Sequence, residues 1–173
     1  MIILHDTFDE LFVDYCCFFN GNEDYFECHE VLEELWKDIA PSEKQHALVS
    51  LIQVATSLYH WRRGNFKGAE KSMSSALSLI KANQHSHFIQ CFNEQQLMID
   101  CEHALGQMKM KLPFVAFKLV IRNDTLQTLT IKKIKTLDEL DENFKINKHT
   151  LRDRSEVIAA RAQSLVNKNN RAL

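Results

Sequence analysis

Residues 25–37 read YFECHEVLEELWK, and the order of apolar and charged residues in this stretch decides the fold. On a helix of about 3.6 residues per turn, Tyr25, Cys28, Leu32, Leu35 and Ile39 share one face, which is the side a core would cover. Glu23, Glu27, Glu30, Glu34 and Asp38 run roughly opposite. Phe26, His29, Glu33 and Trp36 fall between the two, on one flank. An apolar stripe of this width needs neighbouring helices, so the rest of the chain is read for them.

Upstream, Thr7 and Glu10 form a capping-box pair before the helical repeat Phe8, Leu11, Phe12, Tyr15, Phe18 and Phe19. Asn20-Gly21 reads as the stop of that helix, and Asn22 as the cap of the next. Downstream, Pro41 bars continuation, and Ser42 with Gln45 marks a third helix over HALVSLIQVATSLYHWRRG. That helix is apolar nearly all round, which predicts a place in the middle of the domain. Its Ser50, Gln53, Thr56, Ser57 and His60 then need polar partners, and His29 and Glu33 are the natural ones. Gly64-Asn65 ends it and caps a fourth helix with Ala69, Met73, Ala76 and Ile80 inward. After the polar break NQHSH, Asn93 and Gln96 open a fifth helix that fades before Pro113.

The pattern then changes to period two at Val115, Phe117, Leu119 and Ile121, with Asn123-Asp124 as turn residues and Leu129 and Ile131 alternating with threonines. This predicts an extended segment or β-hairpin over 114–131, the second arm being helical only against its Thr and Ile content. Thr136 with Glu139 opens a short helix, and Thr150 with Asp153 caps a last one. The expected fold is an all-α bundle of five main helices in hairpins plus a C-terminal helix. Residues 1–111 form its core domain and 112–173 an extension packed on it.

With 45% hydrophobic residues in 173, one domain can bury a substantial core, and four Gly and two Pro leave few turns between long helices. No long apolar run suggests a membrane span or leader, which points to a soluble cytoplasmic protein with no membrane partner. Five cysteines without C-x-x-C spacing argue against a disulfide framework and a zinc knuckle alike, and read as reduced core fillers. The net charge of −2 hides a division: residues 1–43 carry twelve acids and one base, so the remainder is strongly basic. Nucleic-acid binding through the basic half is the weaker explanation, and an acidic stripe disfavours it. The stronger is that the basic half folds back on the acidic half, or pairs with it in self-association or with a protein partner.

HEVLEELW, followed by LIQVATSLYHWRRGN and GAEKSMSSAL, resembles the bacterial and archaeal domain-of-unknown-function family 309, over roughly residues 18–80. KHTLRDRSEVI at 148–158 resembles the extension of its longer bacterial members. The resemblance implies an all-helical cytoplasmic protein and no activity, because the family is itself uncharacterised. Its hallmark positions fall on His29, Glu30, Glu33, Trp36, Gln53, His60, Gly64, Asn65, Gly68 and Ala69, none of them catalytic by inheritance.

The sharpest chemical candidate is His29 with Glu33, one turn apart. Such a pair can share a divalent metal, or the carboxylate can orient the imidazole for proton transfer. Two ligands are too few for a metal, and Glu33 stands where a zincin would have its second His. His60 is the natural third member if the third helix returns antiparallel, with Trp36, Gln53, Thr56 and Asn65 lining the same pocket. The alternative is a buried polar network locking the two helices together, in a binding or scaffolding module. The sequence leaves enzyme activity open, requires no cofactor and admits a divalent metal.

Overall fold

The computed structural model describes residues 9–151 and 155–171, all-helical apart from turns and one extended stretch. Helix α1 (Glu10–Cys17) continues into a π-helical turn over Phe18–Asn22; α2 (Tyr25–Ile39), α3 (Ala47–Arg62) and α4 (Phe66–Ala82) follow. A short α5 (His87–Gln90) precedes α6 (Glu94–Lys109), and the C-terminal part holds α7 (Asp124–Ile134), α8 (Glu142–Leu151) and α9 (Ser155–Arg171).

The faces of α2 are as the pattern requires: Tyr25, Cys28, Leu32 and Leu35 are buried, Ile39 packs against the core, and Phe26 joins it. Helix α3 is central, with its broadest contacts on α2 and α4. It runs antiparallel to both, since Arg62 at its end reaches Glu23 before α2, and Asn83 after α4 bonds the carbonyl of Gln45 before α3. Its buried hydroxyls are satisfied within the fold: Ser50 donates to Ala47 O, and Ser57 to Ala69 O at 2.7 Å. Thr56 donates to Ile52 O at 2.9 Å. None of the three bonds His29 or Glu33. Ser50 and Thr56 reach a backbone carbonyl one turn back on their own helix, while Ser57 crosses to the backbone of α4.

Several boundaries differ from those expected. The Thr7 cap lies outside the described residues, and Asp9 caps α1 by accepting from Leu11 N. Gly21 is not a left-handed stop, because the π turn runs through it and Glu23 takes the left-handed conformation at φ 57°. Gly21 instead admits close packing: a Cβ there would stand 2.9 Å from Leu137 Cδ1. Asp24, not Asn22, caps α2 through Glu27 N, and His46, not Ser42, caps α3 through Leu48 N. Asn65 and Asn93 cap α4 and α6 as expected.

The 114–131 hairpin is overturned in its second arm. Residues 112–122 are extended and bridge to the bundle at Phe92–Ile121, but 124–134 are helical, capped by Asn123. Leu126 and Thr130, one turn apart, are both buried against the first helix, with Cys17 Sγ on Thr130 O. Tertiary burial outweighs the β preference of the threonines. Thr136 bonds Lys133 O and so ends α7 rather than opening a helix; Asp141 accepts from Phe144 N at the start of α8. Asp153, expected to help cap α9, lies outside the described residues.

The extended stretch acts as a strap. Phe114 packs edge-on against Trp61 and Tyr25, Phe117 meets Phe19, and Leu119 is buried. Asn20 holds the strap by bonding both backbone groups of Leu119 at 2.9 and 2.7 Å. All five cysteines are free and buried. Burial pushes the Cys17 thiol up to about 11 and those of Cys16 and Cys28 well above the usual range, which leaves them protonated core fillers.

The charge division resolves within the fold. Arg62 pairs with Glu23, Lys133 with Asp14 and Glu10, and Lys148 with Asp24 and Glu27. Each of these three bases, from the later part of the chain, is paired with acids from the first 43 residues.

Candidate functional site

The flank of α2 that carries His29 opens on a cleft of about 690 Å³. Its described lining is Glu27, His29, Glu30, Val31, Glu33, Glu34 and Lys37 from α2, with Arg161 from α9. His29 Nδ1 lies 2.8 Å from Phe26 O. A carbonyl only accepts, so Nδ1 carries a proton and donates, and Nε2 is the nitrogen turned to the carboxylates. That Nε2 stands 3.5 Å from Glu30 Oε1 and 3.7 Å from Glu33 Oε2. Glu33 spends its other oxygen on Lys37 Nζ at 2.6 Å, the favourable one-turn order of acid before base.

His60 sits across on α3, where its Nδ1 lies 3.1 Å from the Asn65 amide nitrogen, so here Nδ1 accepts. Burial, then the positive charge of Arg63 and the neighbouring His149 and His29, hold its pKa below the ordinary 6.5. No hydrogen bond or ion pair joins His60 to His29 or Glu33 among the described residues. The two pairs, His29 with Glu33 and His60 with Asn65, are linked instead through aromatic rings. Phe26 stands edge-on to His29 at 5.1 Å and packs on Tyr59 at 5.5 Å, and Tyr59 neighbours His60.

The remaining pocket candidates lie apart from the described lining of the cleft. Trp36 donates through Nε1 to Glu43 O and covers the turn after α2. Thr56 is turned to its own helix, Gln53 has a buried Oε1 without a hydrogen-bond partner among the described residues, and Asn65 is occupied as the α4 cap. Among the described residues, no three His, Cys, Asp or Glu are grouped to hold a metal ion.

Sequence reasoning singled out none of Tyr59, Lys148 and His149 for a role at the site. The Tyr59 hydroxyl lies 2.6 Å from His149 Nδ1 and accepts the His149 backbone N–H at 3.3 Å. Lys148 Nζ lies 2.5 Å from Asp24 Oδ2 and 3.2 Å from Glu27 Oε1. The available signal was the segment that begins KHT at 148, whose first two residues make these contacts.

The profile of the family described as domain of unknown function (DUF309) matches residues 12–72, the span from α1 into α4. A relative in Bacillus subtilis (strain 168), the uncharacterized protein YpuF, is 30% identical over 165 residues, covering 91% of this chain and 95% of the relative. The chain belongs to the DUF309 family. No solved structure matches it. The DUF309 span contains both halves of the site, His29 with Glu33 and His60 with Asn65, and ends well before α8.

Proposed function

We propose that this DUF309 protein is a non-enzymatic binding or scaffolding module, and that the acidic cleft of α2 takes a cationic segment of a protein partner. The observation that carries this is the cleft wall, where Glu27, Glu30, Glu33 and Glu34 of α2 outnumber the two bases of the described lining, Lys37 and Arg161. Like charges one turn apart cost about 0.2–0.5 kcal/mol per pair, which a basic partner would recover. The His29–Glu33 pair is part of this surface. In the same reading, residues 1–111 are the core unit and 112–173 an extension packed on it. No helix among the described residues is long and apolar enough to cross a membrane, and we propose a cytoplasmic location.

The test is binding of a fluorescent lysine-rich decapeptide at low and moderate salt, to the wild type and to Glu30→Gln/Glu34→Gln. The expected result is salt-sensitive binding that the double variant weakens. Equal binding by both proteins would sink the reading.

A second reading is favoured by one observation, the His29 tautomer. With Nδ1–H fixed on Phe26 O, Nε2 is presented toward Glu30 and Glu33 as a base or as a metal ligand. In that version His29 and Glu33 are the acid-base pair or ligands, and His60 assists from α3. Metal analysis of untagged protein beside His29→Ala tests the metal form, which fails if neither sample holds stoichiometric metal. Nucleic-acid binding has less support, since Arg62, Lys133 and Lys148 are each engaged by carboxylates within the chain.

A further inference from the structure

Beside the cleft, at the start of α2, lies a notch whose walls come from two helices and whose filling comes from a third. Asp24 supplies a carboxylate that is 3% exposed, one oxygen of which caps α2 through Glu27 N at 3.1 Å. Its other oxygen takes the ammonium of Lys148, and Glu27 adds a second carboxylate to the same nitrogen. Tyr59, from α3, presents its hydroxyl to His149. The lysine is itself 12% exposed, so the notch holds a side-chain ammonium in a partly dehydrated site with matched charge. All three wall residues lie inside the DUF309 span, and the two filling residues lie 76 and more positions beyond its end at 72.

None of the described side chains of α8 is fully buried, and its main partner is α2. The helix breaks at Asn147 (φ −116°, ψ 17°), immediately before Lys148 and His149, and residues 138–141 that lead into it have no regular structure. A segment with few buried apolar contacts and an irregular lead belongs to the low-stability end of a fold, where local opening is cheap compared with global unfolding.

We propose that the notch of Asp24, Glu27 and Tyr59 is a recognition site for a lysine-bearing protein segment, closed in the free chain by its own Lys148 and His149. Opening of α8 exposes a pre-shaped ammonium site, and a partner that offers a lysine followed by a hydrogen-bonding side chain replaces the internal one. Tethering presents the internal lysine at an effective concentration on the order of millimolar, so only a partner that binds the open notch well below that displaces it. This does not rest on the cleft reading, with which it shares only Glu27.

The probe is the labelled peptide ENFKINKHTL, the sequence of 142–151, added to the full chain. Lys148→Ala/His149→Ala in the protein empties the notch, and the peptide should bind this variant at least about tenfold tighter than the wild type. The same peptide carrying Lys148→Ala should not bind, while Glu30→Gln/Glu34→Gln in the emptied protein, which alters the cleft alone, should leave binding unchanged. In the wild type, amide exchange over 142–151 should be faster than over α3. If the double variant does not fold, His149→Ala alone loosens the filling without altering a wall residue and should raise peptide binding in the same direction. Equal binding by filled and emptied proteins, binding that ignores the peptide lysine, or exchange over 142–151 as slow as in α3 would each overturn the proposal.

Discussion

The guanidinium carbon of Arg62 lies 4.6 Å from the centre of the Tyr25 ring, and 4.6 Å from that of Phe114 on its other contact. The same group donates to Glu23 O at 2.8 Å and pairs with the Glu23 carboxylate, so one side chain at the end of α3 fastens the start of α2 and the strap together. A lysine could keep the charge but not the planar stacking or the fork of donors. Arg62→Lys should therefore destabilise by ~1–2 kcal/mol, read as a lower urea midpoint. An unchanged midpoint would show that the stacking contributes nothing.

Two buried tyrosines should respond oppositely to loss of their hydroxyls. Tyr15 donates to Leu51 O at 2.8 Å, whereas the Tyr25 hydroxyl is buried with no hydrogen-bond partner among the described residues. Removing a satisfied hydroxyl costs about 1 kcal/mol, and removing an unsatisfied one costs nothing or stabilises. Thermal melts of Tyr15→Phe and Tyr25→Phe should then rank below and at or above the wild type. The reverse order would contradict the arrangement of both groups.

Acid should weaken the fold through His60. Its folded pKa is depressed below 6.5 by burial and by Arg63, His149 and His29, so the unfolded chain takes up this proton first. The stability tied to neutral His60 is complete above pH 6.5 and declines as pH falls from there toward the folded value. His60→Asn removes that dependence. The fall in urea midpoint between pH 7.5 and 5.5 should be smaller in the variant than in the wild type, and an equal fall would place the acid sensitivity elsewhere.

Gly21→Ala should destabilise by ~1–3 kcal/mol, since its Cβ would stand 2.9 Å from Leu137 Cδ1 and 3.2 Å from Ile134 Cγ1. Asn65→Ala should cost about 1 kcal/mol through loss of the α4 cap on Gly68 N. Circular dichroism melts of the two single variants measure both effects; an unchanged melt would mean that Leu137 and Ile134 adjust freely in the first, and that the cap contributes nothing in the second.

The faces of α2 and the burial of α3 were legible because an apolar stripe repeats over four turns and only one rotation of the helix hides it. Helix ends were less so. Asp9 stands two residues from Thr7, Asp24 two from Asn22, and Asn123 beside Asp124; each neighbourhood holds more than one side chain able to cap, and packing selects among them. Helix α7 was hidden for a stronger reason, since Thr130 favours a strand until Cys17 and the rest of α1 cover it. At the candidate site, the His29–Glu33 pair follows from one-turn spacing alone. The roles of Tyr59, Lys148 and His149 depend on contacts some ninety to one hundred and twenty-four residues apart, which no local pattern encodes.

The strap and α7 also bear on how the chain is made. Asn20 waits for Leu119, 99 residues later, and Cys17 for Thr130, 113 residues later. At a synthesis rate of about 5–20 residues per second, the first helix spends several seconds with that flank uncovered while α2, α3 and α4 can already pair. Phe19, which meets Phe117 of the strap, stays open on that side until then, and a ribosome pause before residue 112 would prolong that interval.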